Sequence, residues 1–209
     1  MIVGARPDGS SKVVLDIIRA AGVHDVAGFL DDDPARCGLT IEGLPVMGGS
    51  DRLPSLAAEG IDGIAFALGS NRGRHSLLER ARQSGLEPIV AIHPRAVVAP
   101  GVRVGAGVWM AAGAIVNPGS TIGEGVVVNT AATVDHDCTI GDYANLSPGC
   151  HLSGRTIVGR YAFLGTGAIT LPDASIGDDA VVGAGAVVVN TVQPGRTVIG
   201  VPAREVRRS

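Results

Sequence analysis

A histidine between two carboxylates is the clearest candidate for chemistry in this chain. His136 lies between Asp135 and Asp137, two residues after the aliphatic Val134. Histidine can take up a proton near neutral pH, and a carboxylate on its second ring nitrogen fixes the tautomer and stabilises the imidazolium. Either aspartate has the chemistry for that supporting role. The alternative interpretation is that His136 is a polar corner residue in a purely structural element.

Other residues compete for a catalytic role. The five histidines are His24, His75, His93, His136 and His151. The first two lie in or beside predicted helices and the third precedes a proline where two domains are expected to meet, so His151 is the serious rival of His136. Cys138 is a candidate nucleophile, because Cys–His pairs run covalent catalysis. Its position in the repeat described next predicts a buried, unreactive thiol.

A six-residue period fills the second half of the chain. From residue 98 to residue 188 every sixth residue is a large aliphatic, with Thr170 as the one exception. Four residues after most of these comes a small side chain, such as Cys138 or Ala144. One aliphatic, one small residue and one turn in six residues describe a flat strand followed by a corner. The period excludes an amphipathic helix and an ordinary strand.

This repeat predicts a parallel β-helix, because a six-residue unit buries its aliphatic side chain only when successive turns stack into a solenoid. Three units form a triangular coil, so residues eighteen apart stack, and about five coils fit between residues 98 and 188. The residue directly after each aliphatic is mostly Gly, Asn, Asp or Ser, types that tolerate left-handed or tight backbone. We expect the corners to turn at that position.

The first ninety residues alternate between apolar strands and amphipathic helices. This pattern predicts a small parallel sheet covered by helices, which is half of a doubly wound, Rossmann-like α/β fold. Such sheets bind ligands at the carboxyl ends of their strands, where turns lead into helix N-termini that attract phosphate. Three segments occupy those positions, namely the turn at residues 4–11, the acidic run at 31–33 and residues 69–72.

These segments also have plain structural interpretations. An acidic run before Pro34 is often a helix cap or a solvated turn, whereas a carboxylate of Asp31 or Asp32 is suited to the ribose or base of a nucleotide. The first turn lacks a clean GxGxxG pattern, although Ser10 and Ser11 can donate hydrogen bonds and cap the helix. The domain is therefore either a nucleotide-sugar-binding domain or a packing module without a ligand.

Composition and charge exclude several functions. Aromatic residues are only 3% of the 209 residues, the net charge is −3, and no Lys/Arg stripe with interleaved aromatics is present, so nucleic acid is not an expected partner. The N-terminus has no secretory signal pattern and no window suits a membrane span, so we expect a cytoplasmic protein with no membrane partner. The three cysteines lack metal-like spacing, which favours reduced thiols over a disulfide or metal site.

Three segments resemble one family. The run VNTAATVDHDCTIG (residues 128–141), the preceding IHP (92–94) and the closing IGVPAR (199–204) are similar to the bacterial hexapeptide-repeat sugar acetyltransferases. That family includes sialic acid O-acetyltransferases and N-acetyltransferases of nucleotide-linked 4-amino-deoxysugars, and it also has a small nucleotide-binding-like N-terminal domain. The resemblance thus spans the whole chain. It implies a left-handed parallel β-helix, a homotrimer and acetyl-CoA as the donor, without a metal.

The resemblance also implies roles for individual residues. His136 is the expected general base and Asp137 its orienting acid. The residues expected to bind acetyl-CoA are Asn145, Gly154, Thr166, Ala184 and Arg204, and those expected to bind the nucleotide sugar are Gly4, Ser10, Asp31, Asp32, Gly69 and Asn71. Ser10 and Asn145 depart from the family, which usually has histidines there. For Arg204 the plain alternative is a solvated tail that includes Arg207 and Arg208.

The predicted chain has three parts: a Rossmann-like nucleotide-sugar-binding domain at residues 1–91, a β-helix acetyltransferase domain at 92–190 and a C-terminal cap at 191–209. The predicted function is acetyl-CoA-dependent acetylation of the amino group of a nucleotide-linked 4-amino-deoxysugar, by direct attack with a histidine general base. Two alternatives stay open. One is O-acetylation of sialic acid or another sugar, and the other is a non-catalytic β-helix scaffold.

Overall fold

The protein is described by a computed structural model that covers residues 1–6 and 9–206. The chain divides into two compact units, residues 1–94 and 95–209. Pro7 and Asp8, in the predicted first turn, and Arg207 and Arg208, in the predicted tail, lie outside the described residues. The domain limits drawn from the sequence stay predictions.

The first unit is built on a four-stranded parallel sheet. Its elements are β1 (Ile2–Val3), α1 (Ser10–Ala21), β2 (Phe29–Leu30), β3 (Thr40–Ile41), β4 (Leu44–Pro45), α2 (Leu53–Leu56), β5 (Gly63–Phe66), α3 (Asn71–Gln83), β6 (Glu87–Pro88) and β7 (Ala91–Ile92), with 3-10 turns at Pro34–Arg36 and Ser50–Arg52. The strand order is β2-β1-β5-β6, and β3 and β4 form a separate antiparallel pair. The predicted Rossmann-like fold class is confirmed.

Apolar periodicity explains this sheet and its helices. Helix α1 buries Val14, Ile17 and Ile18 on one face, and the sheet buries Phe29 and Ile64. Each fully buried aliphatic side chain contributes about 1.5–3 kcal/mol relative to exposure. Within the described part of the chain, no helix has the length and apolar character that a bilayer crossing requires.

The second unit is a solenoid of short strands. They are β8 (Val97–Val98), β9 (Arg103–Val104), β10 (Trp109–Met110), β11 (Ile115–Val116), β12 (Thr121–Ile122), β13 (Val127–Val128), β14 (Thr133–Val134), β15 (Thr139–Ile140), β16 (Asn145–Leu146), β17 (His151–Leu152), β18 (Ile157–Val158), β19 (Phe163–Leu164), β20 (Ile169–Thr170), β21 (Ser175–Ile176), β22 (Val181–Val182), β23 (Val187–Val188), β24 (Thr197–Ile199) and β25 (Arg204–Glu205). Every third strand pairs in parallel up to β23, β24 pairs in parallel with β22, and β25 pairs antiparallel with β24.

Three sheets form the sides of the coil. Face 1 contains β8, β11, β14, β17, β20 and β23, face 2 contains β9, β12, β15, β18 and β21, and face 3 contains β10, β13, β16, β19, β22 and β24. Residues eighteen apart are in register, as Thr133 and His151 are. The solenoid has about six turns and is consistent with the expected left-handed β-helix. It exceeds the expected five coils because β24 extends face 3 past residue 188.

The corners turn at a different position from the one predicted. Left-handed backbone occurs three residues after the aliphatic, as at Ala131, Asp137 and Tyr143, and not directly after it. The glycines directly after the aliphatics allow close approach of stacked coils instead. A Cβ at Gly141 would lie 2.8 Å from the backbone nitrogen of Arg160 in the next coil. A larger residue there would push the coils apart.

Candidate active site

His136 and Asp137 form a hydrogen-bonded pair at the corner between faces 1 and 2. Nδ1 of His136 lies 2.8 Å from Oδ2 of Asp137, and the side chains are 48% and 62% exposed. Asp137 has a left-handed φ of 57°, which aspartate tolerates better than most residues. Because the carboxylate accepts from Nδ1–H, this contact assigns the tautomer in which Nε2 is free to accept a proton.

Asp135 has a different set of contacts. Its Oδ1 accepts hydrogen bonds from the backbone nitrogen of His136 at 2.8 Å and from Nδ2 of Asn117 at 3.0 Å. These bonds, the backbone one foremost, hold the pKa of Asp135 below its ordinary value. Asp135 therefore braces the start of the turn, whereas Asp137 is the carboxylate on the imidazole ring.

Two glycines make room for this pair. Gly154 stacks eighteen residues after His136, and a Cβ there would lie 2.6 Å from Nε2 and 2.7 Å from Cε1 of the ring. Gly119 stacks eighteen residues before Asp137, and a Cβ there would overlap the Asp137 carboxylate. Gly119 was missed by the sequence reasoning, although the eighteen-residue spacing was a signal that could have found it.

Cys138 is unsuited to covalent catalysis. It is 1% exposed, and its Sγ lies 3.4 Å from the carbonyl oxygen of Ser153. Burial raises the pKa of the Cys138 thiol and, more strongly, that of Cys150, to about 11. A buried thiol with a raised pKa is a poor nucleophile at neutral pH.

Four of the five residues expected to bind acetyl-CoA lie away from the His136 corner, in three places. Thr166 and Ala184 stack eighteen residues apart at the corner between faces 3 and 1, and both are exposed. Asn145 is on face 3, is 7% exposed and donates to Oγ of Ser147 at 3.0 Å. Arg204 is exposed on β25. Of this set, only Gly154 is brought to His136 within one chain.

The rival histidine is placed on a strand and not at a corner. His151 lies on β17, where its Nδ1 is 2.9 Å from Oγ1 of Thr133 in the preceding coil. A hydroxyl can orient an imidazole but does not stabilise its protonated form as a carboxylate does. The geometry therefore favours His136 over His151 as the base.

The residues expected to bind the nucleotide sugar come together in the first unit. A cavity of about 710 Å³ lies at the carboxyl ends of β1 and β5. Its lining includes the predicted residues Gly4, Ser10, Asp31, Asp32 and Gly69. Sequence reasoning missed Arg6 and Arg36, which also line it and supply positive charge. Their signal was weak, because isolated arginines in loops are usually solvated surface residues.

Asp31 braces two walls of this cavity. Its Oδ2 accepts hydrogen bonds from the backbone nitrogen of Ala5 at 2.7 Å and from Nη1 of Arg36 at 2.8 Å, and its Oδ1 accepts from the backbone nitrogen of Asp33 at 3.0 Å. Burial raises the pKa of Asp31, but the hydrogen bonds from Asp33, Ala5 and Arg36 outweigh it and leave the pKa below its ordinary value.

The other two acids of the run differ in role. Oδ1 of Asp32 accepts from the backbone nitrogen of Ser50 at 2.6 Å, and its side chain lines the cavity. Oδ1 of Asp33 accepts from the backbone nitrogen of Ala35 and caps a 3-10 turn. The plain interpretation of the acidic run as a cap therefore holds for Asp33.

The first turn of the sheet packs tightly at Gly4. This glycine has φ 100°, and a Cβ there would lie 2.6 Å from the carbonyl oxygen of Ala67. Ser10 donates to that same carbonyl at 2.9 Å. The N-terminal end of α1 therefore lines the cavity with its residues fixed against β5.

Asn71 is turned towards a buried cation. Arg74 is fully buried, and its guanidinium donates to the carbonyl oxygen of Leu68 and to Oδ1 of Asn71, both at 2.9 Å. Burial lowers the pKa of Arg74 to about 10, so it remains protonated at neutral pH. Asn71 and Arg74 thus hold the loop that carries Gly69, and Asn71 does not line the cavity surface described above.

A β-helix with a histidine–aspartate pair, preceded by a Rossmann-like domain with a polar cavity, defines the class as a hexapeptide-repeat acyltransferase. The family model of the PglD N-terminal domain matches residues 1–81. Comparison with the curated proteins gives no match. Solved structures give full-length matches.

PerB from Caulobacter crescentus, solved with CoA and GDP-perosamine, is 43% identical over 99% of this chain and 96% of its own, with a TM-score of 0.92. A histidine-to-alanine mutant of GDP-perosamine N-acetyltransferase from the same organism, also with CoA and GDP-perosamine, is 42% identical over 99% and 96%, with a TM-score of 0.94. The acetyltransferase domain of PglB from Neisseria gonorrhoeae, solved with acetyl coenzyme A, is 39% identical over 98% and 97%, with a TM-score of 0.90. The chain belongs to the hexapeptide-repeat N-acetyltransferases of nucleotide-linked amino sugars.

Proposed function

We propose that this enzyme transfers the acetyl group of acetyl-CoA to the 4-amino group of a nucleotide-linked amino-deoxysugar, with His136 as general base. The observation that carries the proposal is the His136–Asp137 pair, with Asp137 on Nδ1 and Nε2 left as the proton acceptor. The proposal includes a cytoplasmic location, because acetyl-CoA and nucleotide sugars are cytoplasmic metabolites.

The chemistry is a direct attack. The neutral sugar amine attacks the thioester carbonyl, a C–N bond forms, and Nε2 of His136 takes one amine proton as the tetrahedral intermediate forms. Asp137 stabilises the imidazolium that results. When the C–S bond breaks, the imidazolium returns the proton to the leaving sulfur, so the products are the acetamido sugar and CoA thiol. No acyl-enzyme at Cys138 is involved, since that thiol is buried with a raised pKa.

The nucleotide part of the acceptor is proposed to occupy the cavity of the first unit. The N-terminal end of α1 and the cationic Arg6 suit a diphosphate, and the exposed carboxylate of Asp32 suits a ribose or base donor. The complexes of two relatives with GDP-perosamine favour a GDP-linked sugar as the first acceptor to try.

Acetyl-CoA binding is proposed to involve two chains of a homotrimer. The His136 corner and the corner of Thr166 and Ala184 lie at opposite edges of face 1, separated by a six-residue side, or roughly 20 Å of extended chain. In the proposed trimer, a groove between neighbouring protomers brings the His136 corner of one chain together with the Thr166 and Ala184 corner of the next. Asn145, Gly154 and Arg204 are the further residues proposed for the donor.

The test of this function is release of CoA thiol from acetyl-CoA in the presence of GDP-, UDP- and dTDP-linked 4-amino-deoxysugars and of free sialic acid. We expect turnover with one of the amino sugars. The matched control is the same nucleotide sugar with a 4-hydroxyl in place of the 4-amino group, which is expected to be inert. Turnover of the hydroxyl analogue or of sialic acid in preference to every amino sugar would overturn N-acetylation.

A further inference from the structure

Of the five buried polar side chains among the described residues of the second unit, three lie near one corner, and the other two, Asn145 and Ser147, lie on and directly after a strand of face 3. Ser120, Thr156 and Thr170 are 2%, 0% and 1% exposed, and all three lie beneath the corner that carries His136. The small inward positions at the His136 corner include Ser120, Cys138, Thr156 and Ala174, whereas the equivalent positions at the other two corners are all apolar or thiol: Val108, Val126, Ala144, Ala162 and Ala180 at one, and Ala114, Ala132, Cys150, Ala168 and Ala186 at the other. Thr170, the one exception in the aliphatic series, lies next to Thr156 behind the His136 corner.

Ser120 closes the turn that carries the catalytic pair. Its hydroxyl donates to the carbonyl oxygen of Asp135 at 2.8 Å and accepts from the backbone nitrogen of Cys138 at 3.0 Å. These two groups are the two ends of the turn that contains His136 and Asp137. One side chain in the preceding coil therefore fixes both ends of that turn.

The coil on the other side is held in a similar way. Oγ1 of Thr170 accepts from the backbone nitrogen of Ser153 at 3.1 Å and lies 2.9 Å from Oγ1 of Thr156, which donates to the carbonyl oxygen of Ser153 at 2.7 Å. Ser153 precedes Gly154, the residue that lies against the imidazole of His136. The equivalent backbone nitrogens of other coils donate to a carbonyl oxygen, as Asp135 does to Leu152 at 3.0 Å, so the bond to a side-chain hydroxyl is particular to this coil.

We propose that Ser120, Thr156 and Thr170, the internal hydroxyl cluster, are positioning residues for His136. They touch no substrate and act through the backbone of the two turns on either side of the imidazole. Ser120 sets the turn that holds the His136–Asp137 pair, and Thr170 with Thr156 sets the glycine surface on which the ring rests. The inference rests on the proposed function, since it concerns the geometry of the proposed base.

The test compares kcat and KM of Ser120→Ala with those of a matched control, Val126→Ala, which removes buried atoms at another corner. We expect Ser120→Ala to lower kcat by about tenfold to a hundredfold with both KM values nearly unchanged, because small misplacements of a catalytic group are costly. Ser120→Thr keeps the hydroxyl and is expected to recover most of kcat. Val126→Ala is expected to lose stability but not kcat.

Thr170→Val provides a second test if Ser120→Ala does not fold, because it restores the residue type of the repeat. It is expected to lower kcat in the same manner without lowering the melting temperature below that of Val126→Ala. Full kcat in folded Ser120→Ala and Thr170→Val, measured beside an active wild type, would overturn the positioning role alone. A folded wild type that is inactive on every sugar would overturn the proposed function instead.

Discussion

At the scale of single residues, the imidazole of His136 is constrained from several directions. Asp137 contacts Nδ1, Gly154 lies against the opposite edge of the ring, and Asp135 holds the backbone nitrogen of His136. A base held this way loses little freedom when it accepts a proton, which is how preorganised groups lower a barrier.

Gly154→Ala tests this packing. A Cβ would lie 2.6 Å from Nε2, so the ring must move, and we expect kcat to fall by about tenfold to a hundredfold, in addition to any rise in the KM for acetyl-CoA that the donor role proposed for Gly154 brings. Steady-state kinetics measure both. Gly113→Ala is the control, because its φ of 74° imposes backbone strain that position 154 lacks, whereas its Cβ meets only an ordinary contact at 3.6 Å. An increase in the KM for acetyl-CoA with kcat unchanged would contradict the packing role.

The sequence predicted which residues of this corner carry chemistry, but not their contacts. His136 stood out by type and neighbours, whereas the choice between Asp135 and Asp137 depended on the left-handed turn, which the repeat predicted at the wrong residue. Gly154 was associated with acetyl-CoA by resemblance, and in this chain a Cβ at that position would meet the His136 ring. Side-chain contacts between coils follow from backbone geometry that residue types alone do not set.

At the scale of elements, Asp31 ties the loop after β1 to the turn after β2. Its carboxylate accepts from Ala5, Asp33 and Arg36, and its pKa lies below the ordinary value. A carboxyl group with a lower pKa in the folded state stabilises that state above its unfolded pKa of about 4. The stabilisation is lost as the pH falls through the folded-state pKa.

Asp31→Asn is expected to lower the free energy of unfolding at pH 7 by about 1–3 kcal/mol, because hydrogen bonds to a charged acceptor are lost. The variant and the wild type should converge as the pH falls below about 4. Urea denaturation at several pH values measures the difference. Asp25→Asn, at an exposed position, is the control and is expected to change little. An equal deficit at pH 7 and pH 3 would contradict the role given to the charge.

The types of the elements were predictable because the hydrophobic pattern of the first ninety residues differs from the six-residue repeat of the rest. The six-residue repeat specifies the solenoid from local sequence alone, and the strand–helix alternation specifies the parallel sheet. Asp31 and Asp32 were located correctly at the end of β2, since carboxyl ends of parallel strands share one edge. The hydrogen bonds that Asp31 accepts from Ala5 and Arg36 were not predictable, because no sequence pattern indicates that these two residues contact it.

At the scale of the whole molecule, the proposed homotrimer has a physical argument on face 1. Val97, Ile115 and Ile169 point outwards along this face and are 60%, 36% and 38% exposed in the single chain. These aliphatics, with Thr133 and His151 lying between Ile115 and Ile169 on the same face, are suited to burial against another copy. The proposed packing would place a neighbouring chain beside the His136 corner, which borders face 1.

The trimer predicts a solution mass three times the 21.1 kDa of one chain, measured by light scattering after size-exclusion chromatography. Ile115→Glu is expected to shift the mass towards one chain and to lower acetyl-CoA affinity, because a charge would be buried in the interface. Val23→Glu, at an apolar position 74% exposed in the first unit, is the control and should leave the mass unchanged. A wild-type enzyme that is fully active at the mass of one chain would contradict the shared site.

The most direct measurement of the central claim is the kcat of His136→Ala beside wild type with the preferred nucleotide-linked amino sugar, together with acetyl-CoA affinity by calorimetry. The proposed general base predicts that kcat falls by about 10²–10⁴-fold while acetyl-CoA affinity is unchanged. A folded His136→Ala enzyme that keeps wild-type kcat would contradict the assignment of His136 as the base.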